Sequence, residues 1–221
     1  MERLKVGTVI VWQLRGQSAF FYKAGMTIDA DGAPNAYHPQ DIGLDFLANA
    51  GKPGNWWALV TGNGKPNGKP IVQGPSDPFP GYYVSTTALQ DRAKEKTDPQ
   101  RYIDSTKIPY LVLPKAVANK LGAQLGDFGT VINDKSRRLT QAIFADIGPA
   151  GKLGEGSIAL AEALGIPSSP RRGGARSNVI YIVFPGSGAG KPRPIEEINT
   201  EAAQAFDSWG GMKQVATCFA E

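Results

Sequence analysis

The chain has 221 residues, 41% of them hydrophobic and 20% charged, and its formal net charge is +4. This composition excludes a disordered or fibrous protein, and the length suits a single domain. The only cysteine, Cys218, excludes an intramolecular disulfide, and no apolar run approaches the ~20 residues needed to span a bilayer.

Short runs of β-branched and aromatic residues, separated by turn residues, recur along the chain and indicate strands. The first lies in MERLKVGTVIVWQLRG. Because no small-residue cleavage site follows it, we interpret it as a strand and not as a signal peptide. We therefore expect the protein either to remain in the cell or to leave it without a cleaved signal. The predicted strands are 5–13, 19–28, 56–60, 70–73, 82–86, 109–113, 128–132, 140–146 and 179–184.

Helical patterns are fewer and come later in the chain. Residues 115–121 predict a short helix that Gly122 ends, and residues 157–164 predict another with Ser157 as its N-cap. Residues 195–208 repeat apolar side chains at helical spacing. A doubly wound sheet would need a helix after nearly every strand. The pattern therefore favours a mainly β protein, a compact β-barrel with a few short peripheral helices and a C-terminal helix.

The domain organisation is expected to be simple, because no internal repeat interrupts the pattern. We predict one domain over residues 1–221, with residues 191–221 as a C-terminal helical extension packed on it. We expect this domain to be a monomer.

Several kinds of chemistry are excluded by the residue types present. One histidine, His38, cannot form a site with two or more imidazole ligands, and the lone cysteine cannot complete one. No G-x-S-x-G motif is present, and PGSGAGKP at 185–192 has proline at two positions where a phosphate-binding loop needs glycine and serine or threonine. No basic helix interleaved with aromatic residues appears, so nucleic acid is not an expected partner. We expect no metal and no cofactor.

The segment IDADG, residues 28–32, superficially resembles a calcium loop. It lacks the glutamate that an EF-hand has at its twelfth position. Two interpretations remain open: Asp29 and Asp31 either form an Asx-type turn or point into a substrate groove.

The sequence ADIGPAGKLGEGSIALAEALG, residues 145–165, sets two carboxylates nine positions apart. Asp146 ends a predicted strand and Glu155 precedes a predicted helix, so each is held by a rigid element. The glycine- and proline-rich segment between them can turn sharply. Glycoside hydrolysis needs two such carboxyl groups. The spacing alone leaves open a surface loop with two solvated acids.

Five stretches of the chain point to one family. They are AGMTIDADG (24–32), GYYVSTTAL (81–89), YIDSTKIPYLVLP (102–114), GD (126–127) and the block at 145–165. Together, over about residues 18–186, they resemble glycoside hydrolase family 75, the fungal-type chitosanases. The most specific part is D-x-G-P followed by G-E-x-S, in which both acids match the family's nine-residue separation.

The resemblance implies both a fold and an activity. The fold is a six-stranded double-psi β-barrel. The activity is endo-acting, inverting hydrolysis of β-1,4 bonds in chitosan or a related glucosamine-containing polysaccharide, by a secreted family. The catalytic residues implied are Asp146 and Glu155, and we expect Glu155 to be the general acid and Asp146 the base.

A cationic polymer should bind to carboxylates and aromatic platforms. The candidate substrate-binding residues are Asp29, Asp31, Trp56, Trp57, Tyr82 and Tyr83. Alternation along a strand puts one of the two adjacent tryptophan rings inward and the other outward. The two tyrosines are either core residues with satisfied hydroxyls or further platforms.

The net charge of +4 works against steering a polycation into the site, so two alternatives stay open. One is a peptidoglycan hydrolase on the same scaffold, and the other is a non-catalytic glycan-binding module. In every case the expected partner is a polysaccharide and not a membrane.

Overall fold

The computed structural model describes residues 1–219, so residues 220 and 221 of the predicted C-terminal extension lie outside the described residues. The strands in the described part are β1 Glu2–Val6, β2 Val9–Gln13, β3 Phe20–Asp29, β4 Gly51–Lys52, β5 Asn55–Trp56, β6 Tyr110–Pro114, β7 Phe128–Asn133, β8 Arg138–Gly148, β9 Glu155–Ser157 and β10 Ala175–Phe184. The α-helices are α1 Lys115–Leu121, α2 Ile158–Ala163, α3 Ile195–Trp209 and α4 Gly211–Cys218.

Six of the strands close into a barrel. The order around it is β3, β10, β7, β8, β6 and β9, and β9 pairs with β3 to complete the ring. The pairs β6–β8 and β3–β9 are parallel, and the other neighbouring pairs are antiparallel. The hairpin β1–β2 extends the sheet beside β3. This closed, mainly β barrel with few short helices and a helical C-terminus confirms the predicted fold class.

Side chains of β3 alternate between two apolar clusters. Phe20 and Tyr22 pack in one cluster with residues of facing strands such as Phe144, and Phe21 packs in the other with α3. The Phe21 ring lies 5.7 Å from that of Trp209 at the end of α3. Because successive side chains of a strand point to opposite faces, one face of the sheet packs on other strands and the other is covered by α3.

Ser157 joins β6, β9 and α2. Its Oγ accepts hydrogen bonds from the backbone N–H groups of Tyr110 at 3.0 Å and Leu160 at 3.1 Å, and it donates to the backbone oxygen of Ile108 at 2.8 Å. The bond from Leu160 confirms the predicted N-cap of α2. Glu155, two residues earlier, therefore stands in a segment that is fixed to the barrel.

Some elements differ from the sequence-based expectation. The run at 5–13 is a hairpin and not one strand, because Gly7 turns the chain with a φ of +56°. The runs at 56–60, 70–73 and 82–86 contribute mostly isolated bridges and no barrel strand, since glycine and proline interrupt the chain around them. These segments instead form the loops beside the barrel that line part of the groove described below.

Three of the named elements were not predicted. The strand β4 has only two residues and lies in a stretch of glycine and proline. The strand β9 has three residues, too few for an alternating pattern. Helix α4 begins directly after Gly210, and a pair of glycines such as Gly210 and Gly211 is typical of the end of a helix and not of its start. Within the described residues, none of the helices combines the length and the apolarity needed to cross a lipid bilayer.

Candidate active site

Asp146 lies in β8 immediately after a β-bulge. In the ladder between β6 and β8, Leu111 pairs with Phe144 and Val112 pairs with Asp146, so Ala145 is the extra residue. A bulge changes the direction of the side chains that follow it. Ala145 is fully buried, whereas Asp146 lines a groove on the surface.

The carboxyl group of Asp146 is held by two backbone donors. Its Oδ1 accepts hydrogen bonds from the N–H groups of Ala88 at 2.9 Å and Ile147 at 2.8 Å. Burial raises the pKa of Asp146 to about 7, the two donors oppose this shift, and the charge of Glu155 adds to it. None of the ion pairs within residues 1–219 includes Asp146. Its carboxyl group therefore retains a proton close to neutral pH.

Glu155 is the first residue of β9 and pairs with Thr27 of β3. The backbone N–H of Thr27 donates to the oxygen of Gly154 at 2.9 Å, which fixes the residue before the acid as well. Burial raises the pKa of Glu155, and the ammonium group of Lys152, 3.7 Å from Oε2, opposes this shift. The ionised form of Glu155 thus has a cation beside it, which the ionised form of Asp146 lacks.

Asp29 ends β3, and Asp31 follows it in a tight turn. Oδ1 of Asp29 accepts a hydrogen bond from the backbone N–H of Asp31 at 2.8 Å, which is an Asx-type contact. The hydroxyl of Tyr37 donates to Oδ1 of Asp31 at 2.6 Å, and the hydroxyl of Tyr110 donates to the Asp31 backbone oxygen at 3.0 Å. Both aspartates also line the groove. The two residues therefore form an Asx-type turn and lie in the groove at the same time.

Three carboxyl groups form a cluster at the centre of the groove. Oxygens of Asp29, Asp31 and Asp146 lie within 4.8 Å of one another. Burial raises the pKa values of Asp29 and Asp31 well above the usual range, and the neighbouring carboxylates raise them further. Like charges this close do not all ionise, so the cluster shares protons near neutral pH. These oxygens are also hard donors of the kind that Ca²⁺ and Mg²⁺ take.

Two cavities join into one groove around this cluster. Their volumes are about 870 and 660 Å³. Both are lined by Asp31, Trp57, Asp146 and Ile147, so they meet at the carboxyl cluster. Glu155 lines the smaller cavity together with Asp146, which places both predicted acids at the same groove. A groove that extends to both sides of a central acid cluster suits a polymer.

The two tryptophans take different positions, as the alternation predicts. Trp56 is 8% exposed and packs with its ring centre 6.4 Å from that of Tyr83. Trp57 is 59% exposed, and its Nε1 donates to the backbone oxygen of Asn49 at 2.8 Å, which holds the ring at the junction of the two cavities. An exposed, immobilised indole at this point offers a flat surface for a sugar ring.

Tyr82 and Tyr83 do not line the groove. Tyr82 contacts the rings of His38 and Phe79 at 4.8 and 5.8 Å, and Tyr83 packs against the apolar core and Trp56. Among the described residues that line the two cavities, neither tyrosine is found. The structure therefore brings Asp29, Asp31, Trp57, Asp146 and Glu155 together, with Trp56 at the edge of the larger cavity and the two tyrosines apart.

Sequence reasoning missed several groups of this site. Tyr110 carried no visible signal, because it meets Asp31 only through the folded barrel, whereas Tyr37 reaches Asp31 from six residues further along the same loop. Lys152 had a signal, since a lysine three residues before Glu155 on a short turn can reach its carboxylate.

The groove holds several buried carboxyl groups, and glycoside hydrolysis requires a pair of such groups on the two sides of the bond that is cleaved. A model of the family described as fungal chitosanase of glycosyl hydrolase group 75 matches residues 77–214, which is more than half of the chain. The chain therefore belongs to this family and is a glycoside hydrolase. The matched segment contains Asp146 and Glu155, whereas Asp29, Asp31 and both tryptophans precede it. No curated protein matches the chain.

Proposed function

We propose that the protein is an endo-acting, inverting chitosanase that cleaves β-1,4 bonds with Asp146 and Glu155 as its two catalytic carboxyl groups. The observation that carries this proposal is the position of both acids on one groove, each fixed by a barrel strand and each in a different electrostatic environment. Membership of a chitosanase family supplies the substrate class.

The roles of the two acids follow from their surroundings. A general acid must hold its proton at the working pH, and burial without an ionic partner gives Asp146 a pKa of about 7. A general base must be ionised, and the ammonium group of Lys152 stabilises the anion of Glu155. We therefore assign Asp146 as the acid and Glu155 as the base, which reverses the assignment favoured by the sequence.

The reaction then proceeds by single displacement. Asp146 donates its proton to the glycosidic oxygen as the bond from that oxygen to C1 breaks. Glu155 takes a proton from a water molecule, whose oxygen forms the new bond to C1 from the opposite face of the sugar. The product has the inverted configuration at C1, and one proton returns from Glu155 to Asp146 through solvent before the next turnover.

Substrate binding uses the rest of the groove. The exposed ring of Trp57 supports a sugar, and Asp29, Asp31 and Asp45 supply oxygen acceptors for hydroxyl and ammonium groups. A carboxyl group accepts hydrogen bonds whether or not it is ionised, so these acceptors can bind the sugar although the cluster shares protons and the net charge of the chain is +4.

The proposal is tested by the release of reducing ends from chitosan, with the anomeric configuration of the first product followed by NMR. Asp146→Asn and Glu155→Gln should each lower kcat by about 10²–10⁴-fold while the circular dichroism spectrum stays unchanged. Asp207→Asn, an exposed carboxylate on α3, is the matched control and should retain full activity. Parent-like hydrolysis by either variant, or products with retained configuration, would contradict the mechanism. Turbidity loss of a peptidoglycan suspension without hydrolysis of chitosan would contradict the substrate.

A further inference from the structure

Two loops line the smaller cavity, and Arg171 connects them. One loop contributes Asp45 and Asn49 to the lining, and the other contributes Pro170 and Gly173. Arg171 follows Pro170 in the second loop, and its guanidinium group contacts the first loop. The side chain is 25% exposed, so its contacts are partly shielded from water. The relative position of these two walls of the groove therefore depends in part on Arg171.

Arg171 contacts three residues of the first loop. Its Nη2 donates hydrogen bonds to the backbone oxygens of Asp41 at 2.7 Å and Asp45 at 3.0 Å, and it lies 3.3 Å from Oδ1 of Asp41. Its Cζ lies 4.5 Å from the centre of the Phe46 ring. Hydrogen bonds from an ionised donor are stronger than those between neutral groups, and an arginine over an aromatic face adds a cation–π attraction. One side chain thereby fixes the segment from Asp41 to Phe46.

This segment is connected by hydrogen bonds to Trp57. The side-chain amide of Asn49 donates to both carboxyl oxygens of Asp45 at 2.9 Å. The backbone oxygen of Asn49 accepts from Nε1 of Trp57 at 2.8 Å. The contacts therefore run from Arg171 through Asp45 and Asn49 to the exposed indole at the junction of the two cavities.

The loop that carries Arg171 is itself fixed to the barrel. The backbone N–H of Gly174 donates to the oxygen of Pro167 at 2.7 Å. Gly174 has a φ of +98°, and a Cβ there would clash with the backbone oxygen of Met26, so the loop packs directly on β3. Residues 30–46 of the described chain, by contrast, contain no helix or strand. The loop held by the barrel thus supports the irregular one, and Arg171 supplies the contact between them.

We propose that Arg171 is a positioning residue for substrate binding, which holds the segment from Asp41 to Phe46 so that the ring of Trp57 faces the sugar in the groove. This inference rests on the proposed function and adds to it a residue that touches neither the substrate nor the catalytic carboxyl groups. Within the described part of the chain, Arg171 is not among the residues that line either cavity. Its role is therefore indirect, and it should affect the binding of the polysaccharide more than the chemical step.

Steady-state kinetics on chitosan test this indirect role. Arg171→Met keeps a long apolar side chain but removes the charge and the donors. It should raise KM about 3-fold and leave kcat within about 2-fold of the parent value, since a substitution that weakens substrate and transition state equally changes KM alone. In a Trp57→Ala background the same substitution should change KM by less than about 1.5-fold, because two residues that act through one ring are not additive.

Nuclear magnetic resonance tests the position of the indole without any need for activity. The chain has four tryptophans, and in a ¹H–¹⁵N spectrum the indole cross-peak of Trp57 is the one that Trp57→Ala lacks. In Arg171→Met this cross-peak should move toward the position of an indole in the unfolded chain, because the hydrogen bond to Asn49 is loosened. The cross-peaks of Trp12 and Trp209 should stay in place. Arg171→Lys keeps the charge but lacks the planar guanidinium group, so it should move the Trp57 cross-peak in the same direction by less.

Arg172→Met is the matched control. Arg172 is the next residue of the same loop, is exposed, and takes part in none of the ion pairs formed within residues 1–219. It lines neither cavity. Its KM and its indole cross-peaks should match those of the parent.

Two results would overturn the inference while hydrolysis of chitosan still supported the proposed function. One is a Trp57 cross-peak that stays in place in Arg171→Met, and the other is an equal rise in KM with and without the ring of Trp57. A parent enzyme that releases no reducing ends from chitosan would instead overturn the proposed function itself.

Discussion

The ammonium group of Lys152 lies 3.7 Å from Oε2 of Glu155, three residues further along the chain. Asp146, on the same groove, accepts two backbone N–H groups but forms none of the ion pairs in the described part of the chain. Two carboxyl groups of one site are thereby separated in proton affinity, and this separation is what general acid–base catalysis needs.

The first prediction concerns the pH profile of kcat/KM. Asp146 must be protonated, so activity should fall as the pH rises through about 7. Glu155 must be ionised, so activity should also fall at acidic pH, as the pH drops through its raised pKa. Lys152→Met removes the cation that favours ionisation of Glu155. The acidic limb should then move up by about half a pH unit, while the alkaline limb stays in place.

Lys107→Met is a control for this experiment, because its ammonium group pairs with Asp104 at 3.1 Å and lies outside the lining of both cavities. Its profile should match that of the parent. A Lys152→Met profile with an unmoved acidic limb would argue against Glu155 as the base.

The second prediction concerns stability. The folded state raises the pKa of Asp146 from 3.8 to about 7, so it binds this proton more tightly than the unfolded chain does. The associated stability is fully present below about pH 4 and is lost as the pH rises through about 7. Asp146→Asn does not ionise. It should therefore exceed the parent in free energy of unfolding by about 1–3 kcal/mol above pH 7, and the difference should vanish near pH 4.

The free energy of unfolding is measured by urea denaturation above pH 7 and near pH 4, with Asp127→Asn as the control variant. Asp127 is 1% exposed and uses both of its oxygens, which accept from the N–H groups of Gln124 at 2.7 Å and Gly188 at 2.9 Å. An asparagine loses one acceptor there, so this variant should be destabilised at both pH values. A destabilised Asp146→Asn at neutral pH would contradict the linkage argument.

The third prediction separates the two tryptophans. Trp57→Ala removes an exposed ring, so it should raise KM about 3- to 10-fold with little change in melting temperature. Trp56→Ala leaves a cavity beside Tyr83 and should lower the free energy of unfolding by about 3–5 kcal/mol. Thermal melts and steady-state kinetics on the same preparations measure both effects. A stable Trp56→Ala together with an unchanged KM for Trp57→Ala would refute this division.

The fourth prediction concerns the glycine- and proline-rich segment between Asp146 and Glu155. Gly154 has a φ of +92°, and a Cβ there would lie 2.5 Å from the backbone oxygen of Gly25. Gly154→Ala should therefore cost more than about 2 kcal/mol and displace Glu155, with loss of activity. Gly151→Ala, at a φ of +79° with nothing within 4 Å, carries only the backbone strain of about 1 kcal/mol and should stay active. Equal effects of both substitutions on kcat would show that the close packing of Gly154 against Gly25 does not fix the position of Glu155.

The barrel was largely predictable from the sequence. Strands such as 109–113 and 128–132 are buried on both faces and read as continuous β-branched or aromatic runs, which is the strongest local signal for a strand. The runs at 56–60, 70–73 and 82–86 have the same composition but no partner strand in the barrel, and composition does not reveal pairing.

The site was predictable only in part. Asp146 and Glu155 were identified from their spacing and from a resemblance, but their proton affinities depend on neighbours that the sequence does not place together. Tyr110 reaches the Asp31 backbone across 79 residues of chain, which only the closed barrel brings into contact. The assignment of acid and base that we propose differs from the one favoured by the sequence for the same reason, because burial and ion pairing belong to the folded state.

The extra residue at Ala145 decides which way the side chain of Asp146 points. Without that insertion the ladder between β6 and β8 would run in regular register, and the acid would move one place back, into the position that buried Ala145 now holds. Under the proposed mechanism, a single gap at this point in a homologous chain would therefore predict an inert scaffold as clearly as a replaced aspartate.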